Sequence, residues 1–382
     1  TDAVCAQSQA DVPVGVLLSG GIDSAIVAAA LSEQAGRTGG VRTFCAGFSD
    51  DEYNERALAV ATAERLGTEH TEIEVQCHPD AAMLDRIVAI YGEPFADSSA
   101  ISTWRVCQAA REHVTVALAG DGGDEAVCGY DRYRALELAT EMRPSRYLLT
   151  RLAGKLAGWA ARGGERGRLR RLARFAEVLP YPPALQYFRM RCLFTPDDLG
   201  RLLEGDFADA ARRTEPERSF CELYERPELA GESARAQWHD LQSYLPDDLM
   251  VKTDIASMAC GLELRAPLLD AGLVQWALGW RRADRLDRLR GKVALRRAFA
   301  DVLPESVLRA PKRGFGVPLA AWLRGPLREV LRETLLDRAF LSAGIVRPGP
   351  VHGLVNDHLA GRDDHAHRLW ALLVLARWLQ RN

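Results

Sequence analysis

The sequence predicts an α/β fold in which a doubly wound, mostly parallel sheet is followed by a large all-α C-terminal region. Short apolar segments rich in β-branched residues alternate with helix-like segments over the first third of the chain, which is typical of a parallel sheet with helices on both faces. Strand-like segments become rare from Arg134 onward, while helical periodicity continues. We therefore divide the chain into an α/β core over residues 1–133 and a helical region over residues 134–382.

The first elements of the core are predicted from a change of composition around Ser19. Residues 14–18 form an apolar run of the length of a buried strand. Residues 25–31 are apolar, rich in alanine and free of proline, which favours a helix. A short helix is also predicted ahead of Asp11.

The remaining elements of the core continue the alternation. Residues 80–91 place their apolar side chains on one face of a helix, and the helix that precedes Gly67 is amphipathic in the same way. Strands are predicted at residues 14–18, 41–47, 69–75 and 114–118, and the later helices of the core at residues 54–66, 80–91 and 98–113. In the C-terminal region, helices are predicted at residues 145–175, 241–258, 273–280, 293–303 and 368–379.

Composition and charge exclude several classes of protein. The 382 residues are 47% hydrophobic and 26% charged, as in ordinary globular proteins, and the formal net charge of −3 argues against nucleic acid as a partner. The basic stretch at residues 162–174 is interpreted as a solvated helix face. No apolar run is long enough to cross a membrane and no signal peptide is recognisable, so we expect a cytoplasmic protein. The 8 cysteines include no CxxC pair and predict neither a zinc site nor disulfides.

The segment SGGIDS begins at Ser19, where the first strand gives way to a helix. Backbone N–H groups at the start of a helix lack partners within it and carry partial positive charge, so this turn suits a phosphate group. Gly20 and Gly21 let the backbone approach the ligand closely, and the hydroxyl of Ser24 can donate a hydrogen bond. Asp23 adds negative charge, which fits a phosphate site if its carboxylate holds Mg²⁺. No lysine follows, so the segment is not a Walker loop.

A second turn, AGDGGDE at residues 119–125, follows the fourth predicted strand and is called the acidic turn below. Its carboxylates, Asp121, Asp124 and Glu125, would raise one another's pKa unless a cation compensates. Because the carboxyl ends of parallel strands meet at one edge of a sheet, we expect this turn to face Asp23, whose carboxylate would be a second oxygen ligand for Mg²⁺ bound at the turn. A solvated acidic turn that caps a helix is the alternative, which the paired glycines disfavour.

The two turns belong to a longer series of motifs. In chain order the sequence contains SGGIDS, EPFADSSAIST, AGDGGDE, CGYDRY, YLPDDLMVKTDIASMACGLELRAPLLD, RGKVALRRAF, PKRGFGVPLAAWLRGPLR and HRLWALLVLARWL. This series resembles the asparagine synthetases of the glutamine-hydrolysing type over nearly the whole chain from Asp11 on. The first turn resembles the pyrophosphate loop of enzymes that cleave ATP between the α- and β-phosphates, which implies an adenine-nucleotide α-hydrolase-like core.

The resemblance covers the synthetase half of that family. The N-terminal glutaminase half has no counterpart in this sequence. Because the chain begins at Thr1 rather than Met, we expect a glutaminase domain or partner upstream.

The resemblance also implies an activity: an ATP-dependent, AMP-forming amide synthetase with Mg²⁺ as cofactor. The β-carboxylate of aspartate would attack the α-phosphorus of ATP, pyrophosphate would leave, and ammonia would convert β-aspartyl-AMP to asparagine. Asp121 would serve the adenylate step and accept protons from ammonia, and Lys292 would lie beside the leaving pyrophosphate. The residues implied to bind ATP are Leu18, Ser19, Gly20, Gly21, Asp23, Ser24, Ala46, Ala119 and Gly120, and those implied to hold Mg²⁺ are Asp23 and Asp124.

Two further residues are candidates for contact with the substrate. Glu125 ends the acidic turn, and Arg265 lies in the motif LELRAPLLD. An arginine in an apolar run is as often a structural ion pair, so both interpretations of Arg265 stay open.

Other activities of similar enzymes are alternatives. A relative could activate a different carboxylate and close a ring, as β-lactam synthetases and lasso-peptide cyclases do; the acidic residue at Asp121 favours the ammonia user. A tRNA-modifying enzyme would need a basic groove, which the charge balance does not indicate. A non-catalytic nucleotide-binding protein would not need Asp23, Asp121, Asp124 and Lys292 together. The oligomeric state is open, with a homodimer among the alternatives.

Overall fold

The computed structural model describes residues 1–36, 40–48, 56–75, 79–142, 175–288, 290–312 and 316–382. Over these residues the chain has an α/β fold with a five-stranded parallel sheet. The strands are β1 (Val14–Leu17), β2 (Arg42–Phe48), β3 (Glu69–Val75), β4 (Val116–Leu118) and β5 (Glu263–Arg265). Their order across the sheet is β3-β2-β1-β4-β5.

Parallel pairing determines which turns become neighbours. β1 lies between β2 and β4, with Gly15 opposite Arg42 on one side and Ala117 on the other. Because all the strands run in the same direction, the turns that follow β1 and β4 lie side by side at one edge of the sheet. These are the two turns that the sequence analysis singled out.

Helices cover both faces of the sheet, as predicted. Val16 belongs to a core cluster that includes the buried side chains of helix Ile22–Ala35. Its neighbour Leu17 packs against a separate cluster that includes side chains of helix Ser99–Arg111. Since successive residues of a strand point to opposite faces, the two clusters lie on opposite sides of the sheet.

The strand β5 is a correction to the sequence analysis, which placed few strand signals after residue 134. Only three residues pair, Glu263–Arg265 with Val116–Leu118, and they lie between helices. Three residues are too few for an alternating pattern to stand out. This strand places residues 263–265, which are distant in sequence, beside the start of the acidic turn.

The chain divides into two compact units. The first contains residues 1–77, 99–134 and 236–317, and the second contains residues 78–98, 135–235 and 318–382. The sheet belongs to the first unit. This division differs from the predicted one, because residues 236–317 return to the unit of the sheet and supply β5.

The helices of the first unit include Asp2–Gln7, Ile22–Ala35, Arg56–Leu66, Ser99–Arg111, Gly123–Ala126, Met250–Met258, Ala271–Leu278, Arg282–Arg285, Val293–Ala298 and Glu305–Arg309, with a π-helix at Leu245–Leu249 and a 3₁₀-helix at Pro267–Leu269. Those of the second unit include Ala81–Tyr91, Pro183–Arg191, Pro196–Leu202, Gly205–Arg213, Pro216–Glu225, Leu319–Arg324, Arg328–Leu335, Arg338–Leu341, Pro348–Leu359 and Ala366–Arg381. Helices Asp131–Glu141 and Glu232–Gln242 contribute residues to both units.

Most of the predicted helices are present, with ends shifted by a few residues. The helix predicted at residues 293–303 is shorter and ends at Ala298. Most of the helix predicted at residues 145–175 lies outside the described residues. Over the described ranges, no helix combines the length and the apolar character needed to cross a membrane.

A buried histidine in the second unit is expected to make stability depend on pH. His358 is fully buried in helix Pro348–Leu359, and its Nδ1 accepts a hydrogen bond from the backbone N–H of His365 at 3.2 Å. Burial, aided by the charge of Arg324, lowers the pKa of His358 from 6.5 to about 4, although Asp364 acts in the opposite direction. The folded protein therefore keeps this ring neutral over a pH range in which the unfolded chain binds a proton.

We expect the free energy of unfolding to fall as the pH drops from about 6.5 toward 4, by on the order of 1–2 kcal/mol, because the unfolded state gains the proton first. Urea unfolding of His358→Gln at a series of pH values should show a flatter profile over this range. His352→Gln, at an exposed position of the same helix, is the matched control and should follow the parent. An unchanged slope in His358→Gln would contradict the assignment.

Candidate active site

The turn between β1 and helix Ile22–Ala35 leaves the start of that helix without a side-chain cap. Gly20 has a φ of 79°, a conformation that favours glycine, and Gly21 is the N-cap residue. The hydroxyl of Ser24 accepts a hydrogen bond from the backbone N–H of Ser19 at 3.1 Å, which braces the turn from inside. Oγ of Ser19 accepts a hydrogen bond from the backbone N–H of Gly21 at 3.4 Å, but the N-cap residue offers no side-chain acceptor to the first turn of the helix, which leaves N–H groups there for an anion.

A buried lysine joins this turn to the acidic turn. The Nζ of Lys292 donates a hydrogen bond to Oδ2 of Asp23 and lies 2.5 Å from Oδ1 of Asp124. Lys292 is 3% exposed, and both aspartates are also buried. The two carboxylates that the sequence analysis expected to face one another therefore meet at a single ammonium group.

Lys312 gives Asp124 a second cation, since its Nζ pairs with Oδ2 of that carboxylate. Burial alone would raise the pKa of Asp124, but the charges of Lys292 and Lys312 outweigh burial and hold this pKa below its usual value. Burial raises the pKa of Asp23 even though Lys292 opposes the change. The pKa of Asp124 therefore lies below the ordinary value for an aspartate, and that of Asp23 lies above it.

The carboxylate oxygens can hold a divalent cation only together with ligands from outside the protein. Oδ1 of Asp23 is buried and has no hydrogen-bond partner. Within the described part of the chain, no three His, Cys, Asp or Glu side chains are grouped as a complete metal site would require. Mg²⁺ commonly takes one or two carboxylates and fills its remaining positions with water and phosphate oxygens, so Asp23 and Asp124 fit that ion in this mode.

The glycines of the acidic turn are needed because the two turns touch. A Cβ on Gly120 would lie 2.6 Å from the backbone nitrogen of Ser24, and a Cβ on Gly123 would lie 2.7 Å from Cγ of Asp23. The sequence analysis used the paired glycines of this turn, Gly122 and Gly123, as an argument against a simple helix cap. In the structure the close neighbours are the protein's own residues, so the glycines allow the two turns to form one site.

Asp121 lies near two ammonium groups. Burial raises the pKa of Asp121, and the charges of Lys252 and Lys312 act in the opposite direction. Lys252, in helix Met250–Met258, donates a hydrogen bond from Nζ to Oγ of Ser99 at 2.9 Å. The proton affinity of Asp121 therefore depends on these lysines.

Glu125 is buried and held by Tyr130, whose hydroxyl donates a hydrogen bond to Oε1 of Glu125. The guanidinium of Arg132 lies 3.6 Å from the ring centroid of Tyr130 and 4.9 Å from that of Tyr244, which fixes the position of the tyrosine. Burial, together with the charge of Asp124, raises the pKa of Glu125 to about 7. Glu125 is thus part of the site as an interior, hydrogen-bonded carboxyl group.

Three of the residues implied to bind ATP, Leu18, Ala46 and Ala119, lie at or near the carboxyl ends of β1, β2 and β4. Leu18 and Ala119 are buried and Ala46 is half-buried. The backbone N–H of Leu18 is bonded to the carbonyl of Phe44 at 2.7 Å, and that of Ala119 to the carbonyl of Arg265 at 2.8 Å. Both amides are used within the sheet, so a nucleotide would contact other atoms of these residues.

The side chain of Arg265 is used within the protein. Its Nη1 donates hydrogen bonds to the backbone carbonyls of Gln7 at 2.7 Å and Gln9 at 2.8 Å, and its Nε donates to Oε1 of Glu263 at 2.7 Å. These contacts support the structural alternative for Arg265 over contact with a substrate.

Sequence reasoning misses Lys252 and Lys312, although the composition contains a signal for them. The chain has only 4 lysines among its 49 basic residues. Lys155 lies outside the described residues, and the other three, Lys252, Lys292 and Lys312, surround the carboxylates of this site. In a chain whose usual cation is arginine, a lysine indicates a position that needs a compact ammonium group.

Comparison with known proteins connects this geometry to a family. A family model described as asparagine synthase matches residues 1–380. A putative glutamine-hydrolyzing asparagine synthetase of Mycobacterium bovis is 34% identical over 99% of this chain and 56% of its own length. Glutamine-hydrolyzing asparagine synthetase 1 of Bacillus subtilis is 29% identical over 99% of this chain and 57% of its own length. The chain thus spans about half the length of these relatives.

Gly129 offers a test of how tightly the ion cluster is packed, because a Cβ at this position would overlap Asp124 and Cε of Lys292. We expect Gly129→Ala to lower the free energy of urea unfolding by about 1–3 kcal/mol. Gly349→Ala is the control, since a Cβ at that helical position has no neighbour within 4 Å. It should leave stability unchanged or raise it by up to about 1 kcal/mol. Equal stability of the two variants would show that the cluster tolerates the added methyl group.

Proposed function

The chain belongs to the asparagine synthase family, and we propose that it is an ATP-dependent amide synthetase that releases AMP and pyrophosphate. Aspartate is the proposed acceptor, β-aspartyl-AMP the intermediate and ammonia the nucleophile. The observation that carries the proposal is the meeting of Asp23 and Asp124 at Lys292 next to an uncapped helix start. A triphosphate with its metal needs this combination of anion-binding backbone, carboxylates and a cation.

Each part of the ion cluster has a proposed role toward the triphosphate. The start of helix Ile22–Ala35 would bind phosphate oxygens, and Asp23 and Asp124 would hold Mg²⁺. Mg²⁺ bound there would neutralise phosphate charge. Lys292 would release its carboxylate partners and stabilise the charge that develops on the leaving pyrophosphate.

The proposed reaction has two displacements. In the first, a carboxylate oxygen of aspartate bonds to the α-phosphorus of ATP and the bond from that phosphorus to pyrophosphate breaks. In the second, ammonia bonds to the acyl carbon, the bond to AMP breaks and the nitrogen loses a proton. Asp121 is the proposed acceptor of that proton, since burial raises its pKa and so its affinity for a proton.

The source of ammonia is a separate part of the proposal. The curated relatives are named glutamine-hydrolyzing, and about half of their length has no counterpart in this chain. We propose that a glutaminase portion or partner delivers ammonia to this site. Ammonium salts should then replace glutamine when the chain is assayed by itself.

The experiment that tests the proposal is an incubation with ATP, MgCl₂, ammonium chloride and a panel of carboxylic acids, followed by mass spectrometry of AMP and the amide product. AMP and asparagine should form in equal amounts when aspartate is supplied. AMP formation with another acid, or ring closure without ammonium, would assign the site to a different carboxylate. No AMP with any acid would contradict the proposal.

Asp23→Asn should reduce aspartate-dependent pyrophosphate release by at least ~100-fold with ammonium as the nitrogen source, because the site loses one of its two anionic metal ligands. The matched control is Asp284→Asn in the same unit, which removes a partly exposed carboxylate that pairs with the exposed side chain of Arg281 at 3.0 Å. The control should keep turnover within about twofold of the parent. Turnover near the parental value in Asp23→Asn would rule out the metal role.

Lys292→Ala should reduce the single-turnover rate of adenylate formation by at least ~100-fold, because the ammonium group that contacts both Asp23 and Asp124 is lost from beside the pyrophosphate. It should also lower the free energy of unfolding in EDTA by about 3–5 kcal/mol, since two buried carboxylates lose their shared cation. Arg297→Ala is the control, since Arg297 has an exposed guanidinium and lies in helix Val293–Ala298, whose N-cap residue is Lys292; it should match the parent in both measurements. A parental rate of adenylate formation would remove Lys292 from the catalytic set.

A further inference from the structure

The acidic turn is attached to β5 through the backbone. β5 pairs with β4 with Arg265 opposite Leu118, and the backbone N–H of Ala119 donates a hydrogen bond to the carbonyl of Arg265 at 2.8 Å. Ala119 is the first residue of the acidic turn. The position of the Arg265 backbone therefore sets the point from which the turn departs.

The side chain of Arg265 extends this attachment to the N-terminal segment, residues 1–10. Gln7 is the last residue of helix Asp2–Gln7, so its carbonyl lacks a partner within the helix, and Nη1 of Arg265 supplies one at 2.7 Å. The same nitrogen donates to the carbonyl of Gln9 at 2.8 Å. A guanidinium suits this position because it is charged and can serve several acceptors from one rigid plane.

A second contact between the same parts is apolar. Helix Asp2–Gln7 packs against the 3₁₀-helix Pro267–Leu269, and Val4 and Leu268 belong to one buried cluster. Leu269 in turn occupies the space where a Cβ of Gly122 would lie. Within residues 265–269, the side chains of Arg265 and Leu268 contact the N-terminal segment, and the backbone of Arg265 and the side chain of Leu269 contact the acidic turn.

We propose that Arg265 is a positioning residue through which the N-terminal segment holds the acidic turn in place. Loss of its side chain frees the segment, and the shift passes through Pro267–Leu269 and the β5 backbone to Ala119–Glu125. This role rests on the proposed function for its effect on turnover. Its effect on backbone motion does not depend on any activity.

Arg65 provides a matched control. Its Nη2 and Nε donate to the backbone carbonyls of Asp301 at 2.8 Å and Val302 at 3.3 Å, so it also joins two distant segments of the same unit through carbonyls. None of the contacts described for the acidic turn involves Arg65. Arg65→Met thus removes the same kind of interaction as Arg265→Met at a different place.

Hydrogen exchange measured by mass spectrometry tests the positioning role directly. Amides of residues 119–125 should exchange at least ~5-fold faster in Arg265→Met, and also in Val4→Ala, which loosens the N-terminal helix without altering the arginine. In Arg65→Met they should stay within about twofold of the parent. Should Arg265→Met fail to fold, Arg265→Lys should show an intermediate increase. Faster exchange confined to residues 1–10 would overturn the proposal.

Kinetics provides the second readout. Arg265→Met should lower kcat by ~10-fold with KM for ATP within about twofold of the parent, because a displaced turn affects the reacting groups more than nucleotide binding. Arg65→Met should retain the parental kcat. An equal fall in kcat for both variants would show a general loss of structure and overturn the positioning role. If the parent itself makes no AMP, the proposed function fails, and hydrogen exchange still decides the role of Arg265.

Discussion

A single buried ammonium group, Nζ of Lys292, holds the candidate site together. A buried ion pair is stable only when each charge keeps its partner, since desolvation costs several kcal/mol for each ion. The backbone around the pair adopts unusual conformations to permit it. Lys292 and Cys128 are two of the three non-glycine residues with positive φ in the described part of the chain, at 58° and 62°. Such conformations are unfavourable for residues with a Cβ and tend to occur at functional sites, where the surrounding structure enforces them.

The order of the strands makes this interaction available. Asp23 and Asp124 lie about a hundred residues apart, but β1 and β4 are neighbours in the sheet, so the turns that follow them share one edge. Glycine at positions 120 and 123 then removes the Cβ atoms that would keep the two turns apart. Lys292 completes the cluster from a third segment. The three charged side chains therefore come together only when the sheet has formed.

How far the sequence predicts this structure depends on the range of the interactions involved. The strand Glu69–Val75 is predicted with its correct first and last residues, because its alternating pattern is local. The proximity of Asp23 and Asp124 follows from a general property of parallel sheets, in which the turns after neighbouring strands share one edge. β5 is missed because three residues carry no periodic signal. The contacts of Arg265 with Gln7 and Gln9 span more than 250 positions and leave no mark in either local sequence. The sequence therefore left the choice between substrate contact and structural role undecided.

The use of lysine rather than arginine bears on what the cluster can do. Arginine presents a rigid fork that binds carboxylates in pairs of hydrogen bonds, whereas the lysine ammonium is a compact point charge on a flexible stem. With 4 lysines among 49 basic residues, this chain uses arginine nearly everywhere else. An ammonium can leave one oxygen for another without breaking a two-point contact. In the proposed function, Lys292 and Lys312 would therefore be able to move from Asp23 and Asp124 to phosphate oxygens. A guanidinium bound to Asp124 through two hydrogen bonds would exchange partners less readily. The presence of lysine at these positions therefore favours a site in which ion pairs are exchanged.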